Sequence, residues 1–244
     1  MSAPVLQGIT LSPHYEELLI RADRAAVIAT LARGMAHDLR GPLQTLTLMV
    51  DPHADLLSGP EAYRLRGAVT TAVQHLTDTI SRFSQVYAPV ESEPTPLIVD
   101  DLLGYVSDLQ RYQRGLPAAE VEVQVPSGLP PVRAVEAHLR HMLLSLVINA
   151  KQALAGRTDG LIVLAAQQAG AEVRLTVEDN GPGLPPDERI RAFEPFHTSH
   201  EGSLGIGLTV ARWLAQRQGA TVMLEPAAPG GLRAVVAMQA WRRG

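Results

Sequence analysis

The sequence predicts an α plus α/β chain: an N-terminal helical hairpin that pairs with a second copy into a dimeric four-helix bundle, then a two-layer α/β sandwich. Three observations predict it. Apolar residues recur from Leu18 to Val50 at alternating steps of four and three, the 3.5-residue period of a packed bundle. A proline- and acid-rich stretch interrupts the chain near residue 90. Beyond it, runs with strand alternation take turns with runs of helical period.

Residues 1–13 read as a short polar arm. The first helix is predicted from about His14 to Val50, with a seam of Leu18, Ala22, Ala25, Ala29, Ala32, Ala36, Leu39, Leu43, Leu46 and Val50. Ile28, Met35, Pro42 and Met49 widen that stripe along one flank. A proline inside a helix loses a backbone hydrogen bond and crowds the preceding turn, so Pro42 predicts a local kink. Asp51-Pro52-His53 and Ser58-Gly59-Pro60 mark a turn. A second helix follows, with Ala62, Leu65, Val69, Ala72 and Leu76 at heptad steps, then Ile80, Phe83 and Tyr87 after a four-residue shift. Two helices with broad apolar faces cannot bury both between themselves. Dimerisation is the simplest solution, and docking on the rest of the chain is the alternative.

The linker is placed at 89–97, which assigns 14–88 to the hairpin and 98–244 to the second domain. That domain should contain helices near Ile98–Arg111, Val135–Leu154 and Ile206–Gln218, and strands near Glu120–Val125, Leu161–Ala166, Glu172–Glu178, Ala220–Leu224 and Leu232–Met238. Such an order places the helices on one face of a mixed sheet.

Composition narrows the partners. A net charge of −4 without a basic block argues against nucleic acid, and the absence of cysteine excludes disulfides and thiolate metal sites. The most apolar stretch, Met142–Ile148, falls well short of the roughly 18–20 residues of a membrane span. The N-terminus has neither the basic region nor the apolar core of a secretory signal. A soluble, cytoplasmic protein with no room for a sensory domain is the expectation.

Four stretches carry chemistry. His37 and Asp38 follow a seam position, so both should face out of the bundle. The pair reads either as a solvated surface pair or as an imidazole oriented by a carboxylate for attack. Asn149 sits in the most apolar helix, where it must reach a partner or remain a costly unsatisfied group; an oxygen ligand for Mg²⁺ is the functional reading. Asp179-Asn180-Gly181-Pro182-Gly183 ends a strand at the mouth of the sheet. It reads as a turn, or as a carboxylate that accepts a hydrogen bond from an exocyclic amine such as adenine's, beside glycines that allow close backbone approach. Finally, Phe193-Glu194-Pro195-Phe196 precedes Gly202-Ser203-Leu204-Gly205-Ile206-Gly207, a glycine-rich loop opening a helix, which offers free N–H groups to phosphate.

Taken in order, these stretches resemble the bacterial two-component sensor histidine kinases. His37-Asp38-Leu39-Arg40-Gly41-Pro42-Leu43 is similar to their phospho-acceptor box. Asn149 matches the asparagine box, Asp179-x-Gly181-x-Gly183 the first glycine box, Phe193–Phe196 the phenylalanine box and Gly205-x-Gly207 the second. Gln152, in place of a lysine, makes the chain more similar to the nitrogen-regulation branch than to the porin-regulation branch. The resemblance implies a homodimeric, ATP- and Mg²⁺-dependent autokinase in which His37 attacks the γ-phosphate and Asp38 holds its other nitrogen. Asn149 would bind the metal, and Asp179, Gly181, Gly183, Phe193, Gly205 and Gly207 the nucleotide. Phosphate would pass to a response-regulator receiver domain, with a separate sensory or regulatory protein supplying input. Three positions depart from the pattern: Ser145 replaces a frequent second asparagine, His200 a lysine of the lid, and Gly41 the Thr or Asn of members that also dephosphorylate their partner. A degenerate nucleotide-binding scaffold that acts by contact is the alternative. An ATPase of the gyrase or mismatch-repair kind fits poorly, because Ser145 stands one turn before Asn149 where a glutamate base is expected.

Overall fold

The computed structural model describes residues 12–49, 67–74, 76, 77, 80, 93–113, 116–200, 203–228 and 230–241. The expected turn at 51–60, the positions of Phe83 and Tyr87, most of the linker and Gly202 lie outside them. Helix α1 runs Pro13–Met49 and continues through Pro42. Residues 67–74, 76, 77 and 80, labelled α2, are helical.

Thr95–Leu97, the last residues of the expected linker, form β1, which pairs antiparallel with β3 (Val132–Ala134). Between them lie α3 (Val99–Gln110) and β2 (Glu120–Gln124), and after them α4 (Glu136–Ala153), β4 (Leu161–Ala169) and β5 (Glu172–Asp179). The chain ends with α5 (Pro186–Arg191), α6 (Gly207–Gln216), β6 (Thr221–Pro226) and β7 (Leu232–Gln239). The main sheet is ordered β2-β4-β5-β7-β6, parallel only between β2 and β4.

Strict alternation in β4 and β5 turns Ile162, Leu164, Val173, Leu175 and Val177 to the buried face, against α4. Helix α4 buries Leu139, Met142, Leu143, Leu144, Leu146 and Val147. Burying each such side chain contributes about 1.5–3 kcal/mol, so this layer is a large part of the hydrophobic stabilisation.

The residues that α1 buries differ from the predicted seam. Ile20, Val27, Leu31 and Met35 are buried, whereas Leu18 and Leu43 are about half exposed. Ile20, Val27 and Leu31 sit two positions along from seam residues, about 200° round a helix of 3.6 residues per turn and so nearly opposite the seam, while Met35 lies on the flank expected to widen it. Ile20 packs against Val210, Trp213 and Leu214 of α6, while Val27, Leu31 and Met35 join the main core. One stripe of α1 is thus docked on the second domain, while Leu18 and Leu43 of the other are exposed among the described residues. At Gly34 the helix touches the backbone after α3, where a Cβ would fall inside the Tyr112 carbonyl. Because that neighbour is backbone, Gly34→Ala is expected to push α1 off the domain, costing about 1–3 kcal/mol. A lower thermal midpoint, with faster amide exchange confined to the 20–35 segment, is the expected readout.

Candidate functional site

The parity of β5 that buries Val173, Leu175 and Val177 also carries its last residue, Asp179, inward. Its carboxylate is 5% exposed and accepts the Gly181 N–H at 2.9 Å through Oδ1. Burial pushes this carboxyl above the ordinary range, against the lowering effect of the Gly181 and Leu232 N–H groups. Glu178, of opposite parity, instead accepts from Arg233 Nε at 2.6 Å. Asn180 pins the start of the loop: its Oδ1 accepts from Leu161 N and its Nδ2 donates to the Asp159 carbonyl, both at 2.8 Å.

Glycine is needed at several points around this carboxylate. Gly183 has φ 67°, and a Cβ there would lie 2.6 Å from the Gly230 carbonyl oxygen. At Gly231 a Cβ would collide with the Asp179 carbonyl. The β6–β7 turn thus packs directly against the Asp179 loop.

A cleft of about 490 Å³ opens above this floor, lined by Asn149, Asp179, Gly183, His200, Gly205 and Gly207 among others. On its far side Gly205, at φ 64°, lets the loop close on the Phe196–His197 backbone. Phe193 is buried beneath, and its carbonyl accepts from Thr209 Oγ1 at 3.0 Å and Arg212 Nη2 at 3.2 Å. Phe196 is the non-glycine with positive φ among the described residues, and its ring is 65% exposed. Asn149 Nδ2 is buried without a hydrogen-bond partner.

The cleft brings together Asn149, Asp179, Gly183, Gly205 and Gly207, with Gly181 and Phe193 supporting it from below. Its chemistry suits a nucleotide, with a buried acceptor at one end and a helix N-terminus free of side chains at the other. With its Nδ2 unpaired, the Asn149 amide is free to turn its oxygen toward a metal that keeps most of its ligands as phosphate and water. His37 and Asp38 are not among its lining residues. The His37 ring is 58% exposed on α1, with Nδ1 3.3 Å from Asp38 Oδ1.

Sequence reasoning missed one buried cluster. Asp23 of α1, 6% exposed, accepts from His141 Nε2 at 2.9 Å and Ser145 Oγ at 3.0 Å through Oδ2. Nothing in an alanine-rich helix marks Asp23 as different from a solvated acid, since its partners lie more than a hundred residues away.

Residues 134–241 match the family described as histidine kinase-, DNA gyrase B-, and HSP90-like ATPase. The C4-dicarboxylate transport sensor protein DctB of Rhizobium meliloti (strain 1021) is 28% identical over 225 residues, 89% of this chain and 35% of DctB. The sensor histidine kinase ZraS of Escherichia coli (strain K12) is 25% identical over 207 residues, 84% of this chain and 44% of ZraS. The chain thus spans less than half the length of these two curated relatives. Among solved structures, histidine kinase ThkA in complex with response regulator protein TrrA aligns with a TM-score of 0.51 at 20% identity, covering 96% of this chain and 68% of that one, and so shares the fold. No helix among the described residues is long and apolar enough to cross a membrane. Residues 134–241 thus match the histidine kinase, gyrase B and HSP90 type of ATPase, and over most of its length the chain is similar to the sensor histidine kinases.

Proposed function

We propose that the chain is an ATP-dependent protein-histidine kinase, working as a homodimer, that phosphorylates His37 and passes the phosphoryl group to an aspartate of a response-regulator receiver domain. Residues 14–88 would form the dimerisation and phosphotransfer hairpin, 89–97 the link and 98–244 the catalytic domain. The observation that carries this reading is the pairing, in one chain, of a nucleotide-shaped cleft with an exposed imidazole already oriented by a carboxylate.

The geometry supports the following roles. With Nδ1–H donating to Asp38, the His37 Nε2 lone pair is the exposed nucleophile. It forms a bond to the γ-phosphorus as the bond to the β–γ bridging oxygen breaks; ADP leaves, and Asp38 holds the Nδ1 proton throughout. Asp179 accepts the adenine amine, while Gly181, Gly183, Gly205 and Gly207 allow the backbone to close on the nucleotide. Phe193 anchors the base of the lid, and Asn149 holds Mg²⁺, which offsets charge on the phosphates when bound. In the second step the regulator's carboxylate attacks the phosphorus, and the bond to Nε2 breaks.

Position sets one requirement. Asp23 borders the Asn149–Gly207 end of the cleft, and at about 1.5 Å per residue His37 lies about 21 Å further along α1. Autophosphorylation therefore runs with α1 undocked, or with the cleft of one subunit serving the histidine of the other.

Incubation with γ-labelled ATP and Mg²⁺ should give an acid-labile label that His37→Gln reduces to background while ADP binding persists. Full labelling of that variant would overturn the assignment, and an unlabelled wild type that still binds ADP would favour the contact scaffold. Asp179 gives an expectation with a sign. Because its carboxyl is raised in the fold, the folded state holds the proton more tightly. Its contribution to stability is fullest in acid and declines as pH rises from the ordinary carboxylate range through the raised value. Asp179→Asn should therefore raise the thermal midpoint of the nucleotide-free protein at neutral pH but not in acid, and weaken ADP binding by about tenfold or more, as loss of a buried charged acceptor implies. At Gly41, nothing lies within 4 Å of a built Cβ, so threonine fits and gains a few tenths of a kcal/mol in helix propensity. The wild type is expected to dephosphorylate a phosphorylated regulator poorly, and Gly41→Thr to do so measurably faster.

A further inference from the structure

Holding α1 in place uses only half of the Asp23 carboxylate. Oδ2 takes both hydrogen bonds, from His141 and Ser145, whereas Oδ1 accepts none among the described residues. Asp23 also lines a second cavity of about 140 Å³, walled by α1, α4 and the loop entering α6. The two sides converge at Gly207. A Cβ built there would lie 3.6 Å from Asp23 Oδ1, 3.6 Å from Asn149 Nδ2 and 3.8 Å from Asn149 Oδ1. A single point thus lies within 4 Å of a carboxylate from one domain and an amide from the other, and glycine leaves it open.

Both groups want a partner there. Asn149 Nδ2 is buried and unpaired; turning the amide about its last torsion exchanges nitrogen for oxygen at little cost. Asp23 is 6% exposed, so its Oδ1 keeps little water and gains from a cationic partner. Facing a triphosphate alone it would repel it. A carboxylate oxygen and an amide oxygen beside a phosphate site are, in contrast, a donor set for a small hard dication that completes its octahedron with phosphate and water.

We infer that Asp23 Oδ1 and Asn149 Oδ1 together hold the Mg²⁺ that accompanies the nucleotide, so that α1 forms one wall of the nucleotide site. Ser145, at the position of a second asparagine in many relatives, orients Asp23 instead of binding metal itself. Metal–nucleotide occupancy then tightens the docking of α1, and nucleotide without metal loosens it. This inference rests on the nucleotide-binding reading of the cleft.

Calorimetric titration of the whole chain with ADP, with and without Mg²⁺, tests it. Asp23→Asn keeps an acceptor for His141 and Ser145 while removing the charged oxygen. Mg²⁺ should tighten ADP binding in the wild type, and the variant should lose about tenfold or more of that gain, with metal-free ADP binding equal or stronger. An undiminished Mg²⁺ effect in the variant overturns the inference, as does tighter Mg²⁺–ADP binding, which would make the carboxylate a barrier and not a ligand. Should the variant misfold, the wild type answers with Fe²⁺ in place of Mg²⁺, in the presence of ADP, ascorbate and peroxide. Backbone scission near both Asp23 and Asn149 supports the shared site; scission near Asn149 alone refutes it. A wild type that binds no ADP removes the nucleotide reading and this inference with it.

Discussion

A helix with apolar residues on every side persists in water only if every side is covered, and the arrangement of this protein follows from how α4 meets that condition. The sheet covers one side through Ile162, Leu164, Leu175 and Val177, α6 covers another, and α1 lies against the side that carries His141 and Ser145. Asn149 projects from the same helix near its C-terminal end, so packing that satisfies the apolar residues also fixes the amide at the edge of the cleft. Function at this site is a by-product of where the core places α4.

The second constraint is electrostatic. Two carboxylates, Asp179 and Asp23, are almost wholly withdrawn from water on either side of the cleft. Among the described residues neither pairs with a lysine or arginine; each leans on backbone N–H groups, a hydroxyl or an imidazole. Such an arrangement is less stable empty than a neutral one would be, and it favours ligands that bring donors to one end and positive charge to the other.

Much of this was legible in the sequence because the signals were local. The alternation of Val173, Leu175 and Val177 assigned the strand that ends beside Asp179, and the helical run around Asn149 left that residue conspicuous. What escaped was either short or remote. Strands β1 and β3 have three residues each, too few to show a period. Helix α5 did carry a readable start, with proline at its first positions and Asp187 and Glu188 in its first turn. Gly34 and Gly231 read as ordinary small or turn residues, because their need for hydrogen in place of a side chain arises from the Tyr112 and Asp179 backbones. The docked stripe of α1 was missed for a related reason: two apolar stripes on opposite sides blur each other's period.

The packing of Gly231 on Asp179 and of Gly230 on Gly183 has an evolutionary corollary. Main chain touches main chain there, so neither hairpin nor strand end can drift without the other, and compensation by a single side-chain change is closed off. On the rim, Thr198, Ser199 and His200 make side-chain hydrogen bonds among themselves and can vary in charge. Descendants of this architecture are therefore free to retune how quickly a ligand enters and leaves, while its identity, decided at the bottom of the cleft, is inherited nearly intact.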